Sequence, residues 1–242
     1  DAGYKNTSYA IAEIVDNSIE ANAKNINITL FEDKVITART QHLVSEVAIL
    51  DDGDGMPSEV LAKCLSFGWG TRLDGATGLG KFGFGLKDAS ISQAQRIEVY
   101  SWQKPDDVMM TYLDCEEISK SESDLLPIPQ KVEIPSKYLQ GEFPKSGTLV
   151  VWKNLDRLNP KKSTTVISHL NNEMCRIFRH FLDDNDDYGT RRNIKVQVVD
   201  PEGKLGEPLI LKANDPLYLL TPNNCPDHTD KATNVIDDET FI

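Results

Sequence analysis

The chain has 242 residues and a formal net charge of −12 at pH 7, from 26 basic and 38 acidic side chains. With 39% hydrophobic and 26% charged residues it reads as a folded protein rather than a disordered one, long enough to bury about 70% of its unfolded surface without disulfide or metal staples. The acidic balance argues against a nucleic-acid or anionic-membrane binder acting through its whole surface, and no apolar run of about 18 residues is present to span a bilayer. No signal peptide is recognised, so the expected residence is the cytoplasm, or the nucleus if the source is eukaryotic. The chain opens on Asp1-Ala2-Gly3 without a methionine and reads as a piece of a longer protein. Cys64, Cys115, Cys175 and Cys225 form no C-x-x-C pair and read as reduced thiols, and Cys225 with His228 is too small a set to close a tetrahedral zinc site.

In chain order, residues 8–23 predict an amphipathic helix with Ile11, Ile14, Val15, Ser18, Ile19 and Asn22 on one side. Glu13, Asp16, Asn17 and Glu20 lie on the other. Residues 25–31 alternate, with Ile26, Ile28 and Leu30 on one strand face, and residues 47–50 form a short apolar strand ending in Asp51-Asp52-Gly53-Asp54-Gly55. Pro57 suits the first turn of a helix over 58–66. Residues 66–87 hold seven of the fifteen glycines and predict a mobile loop that settles into a helix near its end. Strands follow at 95–102, 108–114 and 147–153, with 116–146 a surface excursion rich in Ser, Pro, Lys and Glu. A longer helix over 163–183, capped by Ser163 or Thr164, precedes strands at 193–200 and 208–212 around a turn at Pro201-Glu202-Gly203-Lys204. The pattern is α+β.

Three features carry chemistry. Glu13 and Asn17 stand at i and i+4, so they share a helix face; a carboxylate activates water and an amide oxygen one turn away ligates Mg²⁺. Asp51 closes a buried strand and can accept a hydrogen bond from an exocyclic amine, while the glycines after it let a flat ring approach the backbone. The run Gly78-Leu79-Gly80-Lys81-Phe82-Gly83-Phe84-Gly85-Leu86-Lys87 offers consecutive N–H groups, a helix start and two lysines for phosphate. Taken singly these also fit a solvated helix face, an acidic turn and a flexible loop. An EF-hand, a P-loop and a Rossmann turn are excluded by missing residues or context.

In this order and spacing the three features resemble the GHKL ATPase superfamily: gyrase B, the large heat-shock chaperones, histidine kinases and MutL. Glu13-x-x-x-Asn17 is similar to the N-box, Asp51-x-Gly53-x-Gly55 to the second box, and the glycine run to the box that closes the ATP lid. Gly147-Thr148 matches the late strand opening. Within the superfamily the chain looks most like the microrchidia (MORC) ATPases and bacterial relatives, through Ala12-Glu13-Ile14-Val15-Asp16-Asn17-Ser18, Asp51 to Met56, Leu65-Ser66-Phe67-Gly68 and Gly80 to Lys87.

The resemblance implies a Bergerat-type two-layer sandwich, a mixed, mostly antiparallel sheet with helices on one face. It implies an ATP-binding domain over 1–158, then over 159–242 a connecting helix and the beginning of a transducer-like α/β unit. It implies ATP and Mg²⁺ as ligands, with Glu13 as general base and Asn17 on the metal. Asp51 would take the adenine amine, with Thr148 sharing that network through water and Gly55 and Met56 lining the base. Gly80, Lys81, Phe82, Gly83, Phe84, Gly85, Leu86 and Lys87 would wrap the phosphates, and Gly70, Thr71 and Arg72 would reach the γ-phosphate. The transducer lysine of the family has only Lys195, Lys204 and Lys212 as counterparts by type. The implied protein is an ATP hydrolase with a nucleotide-ordered lid, a homodimer when ATP is bound to the full-length chain. A DNA or protein client acting through regions outside this segment is left open. Two alternatives stand behind it: a nucleotide-gated binding module with negligible turnover, and a histidine kinase, although none of His42, His169, His180 and His228 is followed by an acid.

Overall fold

The computed structural model describes residues 6–36, 39–66, 85–120, 127–139, 141, 143–184 and 191–215. Helix α1, Thr7–Glu20, starts where the Asn6 side chain accepts the Tyr9 N–H at 3.2 Å. It ends three residues before the pattern suggests, because Asn22 turns left-handed at φ 62° and leaves the apolar stripe for the surface. Strands β1, Asn25–Ile36, and β2, Thr40–Asp51, form one long hairpin. Helix α2, Ser58–Leu61, is shorter than the expected 58–66 and dissolves into turns, with Pro57 just outside it at the cap rather than in its first turn. Helix α3, Gly85–Ile91, is followed by β3, Arg96–Trp102, and β4, Met109–Asp114. Next come α4, Cys115–Lys120, β5, Gln130–Lys131, and β6, Gly147–Lys153. Helix α5, Ser163–Ile177, β7, Asn193–Val199, and β8, Leu209–Ile210, complete the order. Neither serine nor threonine caps α5: Lys162 holds that position without a side-chain bond, and Ser163 is buried as the first helical residue.

The strands make one eight-stranded sheet in the order β5-β4-β3-β6-β2-β1-β7-β8. Among the described residues only β1 and β7 pair in parallel. Helices α1, α3 and α5 cover one face, where Ile11, Ile14, Leu86 and Leu170 pack on Ile26, Ile28, Ile49, Val99, Val150 and Trp152. This is the α+β sheet-and-helix architecture expected. From the part set apart above as 159–242, α5 contributes Val166, Leu170 and Met174 to this same core, and β7 pairs with β1 in the sheet.

Residues 127–139 and 143–146 are more than a surface excursion. They shield the second sheet face, where Tyr138, 2% exposed, stands edge-on to Phe31 and Phe143 stacks on Trp102 at 4.9 Å. Burial on both faces explains why residues 97–102 are buried without alternation. Ile28, 0% exposed at the sheet centre, makes the main core testable: Ile28→Ala is expected to lower unfolding free energy by about 2–5 kcal/mol in urea titration. Among the described residues no helix is long and apolar enough to cross a membrane.

Candidate functional site

Asp51 is the last residue of β2, and the strand delivers its carboxylate beneath α1, where it is 5% exposed. Oδ1 accepts the N–H groups of Gly53, at 2.9 Å, and Thr148, at 3.1 Å. Oδ2 accepts from the Ser18 hydroxyl at 2.8 Å, a donor shared with the Ile14 carbonyl at 3.1 Å. Each carboxylate oxygen takes two hydrogen bonds, so Oδ1 is filled and Oδ2 keeps one acceptor position. Burial dominates the titration: it pushes the carboxyl up to about 6, against the three hydrogen bonds that favour the charged form and with a small push from Asp52.

The carboxylate lies at the wall of a cavity of about 250 Å³. Ile14, Met56, Val60, Leu86 and Val150 supply its apolar lining; Asn17, Ser18, Asp51 and Thr148 supply polar groups, and Glu20 and Asp54 also line it. An apolar slot with an anionic acceptor suits a flat ring that carries an amine. Gly55 shapes its edge. It holds φ +68°, and a Cβ there would strike the Trp102 carbonyl, so no side chain fits.

Asn17 is half-buried on α1 and lines the cavity; its amide Nδ2 is buried and has no hydrogen-bond partner. Turning the amide by about 180° exchanges Nδ2 for Oδ1 at little steric cost, so the site can offer a donor or an acceptor. Glu13, one turn earlier, is also half-buried. Its carboxyl is raised above the ordinary glutamate range by partial desolvation first, then by Asp16 and Glu20. It lies against Gly85, the first residue of α3, where a Cβ would collide with the carboxylate. The polar face of α1 is therefore not a plain solvated face; α3 and the cavity cover part of it.

Leu86 and Lys87 are both buried in α3; the Lys87 ammonium lies 3.4 Å from Asp88 Oδ1. Gly70, Thr71, Arg72, Gly80, Lys81, Phe82, Gly83 and Phe84 lie outside the described residues. The acids beside Asp51 have structural tasks. Asp52 accepts the backbone N–H groups of Lys24 and Asn25, and Asp54 accepts from the Asn22 side chain at 2.6 Å while its own N–H donates to the Ala21 carbonyl. They lock the acidic loop to the end of α1.

Two members of the site were not singled out in the sequence. Ser18 is a hydroxyl set among Ile14, Val15 and Ile19 in the buried stripe, which is itself a signal. Ser101 accepts the Met56 N–H at 2.7 Å and lies 3.0 Å from Thr148 Oγ1, a cross-strand pairing with no trace in the local sequence.

Residues 4–148 match the family of histidine kinase-, DNA gyrase B-, and HSP90-like ATPases. The chain belongs to this family, and it carries the family's ATP-binding domain. Its fold is similar to the N-terminal domain of a DNA repair protein, with a TM-score of 0.51 and 18% identity over 88% of this chain and 54% of that one. It is also similar to the ATP-binding domain of topoisomerase IV from Francisella tularensis in complex with a small-molecule inhibitor, with a TM-score of 0.47 and 18% identity over 87% of this chain and 50% of that one. The chain thus spans about half the length of either structure. No curated protein matches it closely enough to count as a relative.

Proposed function

We propose that the chain binds ATP with Mg²⁺ in this cavity and hydrolyses it, as the nucleotide-gated part of a dimerising clamp. The observation that carries the reading is the buried Asp51 carboxylate, with one acceptor position left, in an apolar cavity that also holds an unsatisfied Asn17 amide. In this reading Asp51 accepts the adenine amine, Thr148 completes the polar edge, and Gly55 and Met56 line the base. Gly80 to Lys87 wrap the phosphates, with Gly70, Thr71 and Arg72 near the γ-phosphate.

Asn17 fits a magnesium ligand. Mg²⁺ keeps most of its waters and takes one or two protein oxygens plus phosphates, and among the described residues no group of three or more His, Cys, Asp or Glu side chains stands ready as a cage. Bound there, the ion would neutralise charge on the phosphate oxygens. Glu13 aligns the attacking water and receives its proton, a task helped by a carboxyl raised above the ordinary range. The motif spacing leads us to place the chain near the MORC ATPases within the family.

Titration with ATP in Mg²⁺ buffer tests the reading, and absence of binding would overturn it. Hydrogen exchange tests the lid: a non-hydrolysable ATP analogue is expected to slow exchange over residues 66–87, and equal protection with and without it rules out a nucleotide-gated lid. Gly85→Ala tests the base. The added methyl meets Oε1, Cδ and Cγ of Glu13 and so displaces that side chain, while alanine suits a helix; the protein is expected to fold and turnover to fall at least about tenfold. Unchanged turnover counts against Glu13 acting from its present position.

A further inference from the structure

Ser101 is fully buried in β3, opposite Thr148 of β6. Its hydroxyl has three neighbours: the Met56 N–H at 2.7 Å, the Gly147 carbonyl at 3.1 Å and Thr148 Oγ1 at 3.0 Å. The first can only donate and the second can only accept; the third can do either. Ser101 has a single proton, so its direction decides what Thr148 does. A proton given to Gly147 makes Thr148 donate to Ser101 and leaves lone pairs toward the cavity. A proton given to Thr148 frees the threonine proton for whatever occupies the cavity.

The occupant settles the choice. A purine whose amine donates to Asp51 Oδ2 brings its ring N1 to the same edge, and N1 of adenine is an acceptor. An ionised Asp51 has no proton to offer it. The Thr148 N–H is already committed to Asp51 Oδ1 and Asn17 is assigned to the metal in the proposed function, which leaves the Thr148 hydroxyl, directly or through one water, as the donor beside Asp51. We propose that Ser101 is a positioning residue that sets the hydroxyl chain running from the Met56 N–H through Ser101 and Thr148 toward purine N1, and thereby helps the site choose adenine over guanine. Guanine carries a proton on N1 and would meet donor with donor, besides setting its carbonyl against Asp51. Donation from the Met56 N–H polarises Ser101 and strengthens its own donation. The inference rests on the reading of the cavity as an adenine site.

Competition binding with ATP, GTP and 1-deaza-ATP, in which N1 is replaced by CH, tests it. The wild-type chain is expected to bind 1-deaza-ATP about tenfold more weakly than ATP. Ser101→Ala, checked for folding by its melting curve, is expected to bring the two within about twofold and to lower the ATP-over-GTP ratio about fivefold. Ser101→Thr, which keeps the hydroxyl, restores both ratios. A merely structural serine would weaken all three nucleotides alike. Equal wild-type affinity for ATP and 1-deaza-ATP overturns the inference without any variant. So does a Ser101→Ala protein that keeps the wild-type ratios, and in that case ATP preference over GTP leaves the adenine site itself standing. A wild-type chain that binds no adenine nucleotide overturns both.

Discussion

Glu13→Ala is expected to lower ATP turnover by about 10²–10⁴-fold while leaving ATP affinity within about threefold of wild type. The asymmetry follows from position. Glu13 is one helical turn from Asn17 on α1, outside the cavity lining, and its carboxylate rests against Gly85 where α3 begins. In the function proposed above, this places Glu13 toward the phosphate end of a nucleotide whose base would sit on Asp51, where it would act on the reacting water rather than on the bound ground state. Asn17→Ala is expected to do the opposite, weakening binding and flattening its dependence on Mg²⁺, because the amide lines the cavity itself. Turnover in Glu13→Ala equal to wild type would sink the general-base role. Turnover lost together with affinity would mean that Glu13 holds substrate instead.

What the sequence shows and hides follows the range of the interactions. Helix α1 is legible because its stripe of Ile11, Ile14, Val15 and Ile19 buries against a sheet at helical spacing. The end of β3 and the start of β4 are legible because Lys104-Pro105-Asp106-Asp107 separates them, and the start of β6 because Ser146-Gly147 opens it. The hairpin of β1 and β2 reaches well beyond its apolar stretches, since Glu32, Asp33 and Lys34 pair through their backbones with Val44, Leu43 and His42 and need no apolar side chain to do so. Parallel pairing of β1 with β7 joins residues far apart in the chain, and nothing local encodes it. The cover on the second sheet face depends on Tyr138 and Phe143, isolated aromatics in a polar segment whose partners Phe31 and Trp102 lie elsewhere in the chain.

The site divides in the same way. Glu13, Asn17 and Asp51 stand out by type and spacing, whereas Ser101 becomes visible only when β3 and β6 are side by side. The task of Asp54 is hidden in the sequence, because its bond to Asn22 depends on that residue leaving the helix.

Asp51 gives the largest expected effect of pH. Its carboxyl titrates at about 6 in the fold, against 3.8 in the unfolded chain, because burial outweighs the hydrogen bonds from Gly53, Ser18 and Thr148. Between about pH 4 and 6 the unfolded chain releases this proton while the folded chain keeps it. Rising pH through that window therefore removes stability, roughly 3 kcal/mol in all, and above it the contribution is constant. Glu13 shifts the same way and Glu98 and Asp114 shift the opposite way, so the difference between wild type and Asp51→Asn isolates the Asp51 part. Nucleotide choice should follow the same titration. Ionised, Asp51 would accept from the adenine amine and repel the guanine carbonyl, as proposed above. Protonated, it donates, and guanine becomes the better match. Lowering the pH from about 7.5 to 5 leaves roughly a tenth of the carboxyl ionised, so the ATP-over-GTP ratio is expected to fall about tenfold. Phosphate protonation is common to both nucleotides and cancels in the ratio. Asp51→Asn should show a low ratio with no pH dependence. A wild-type ratio that stays constant from pH 7.5 to 5 refutes Asp51 as the group that reads the base.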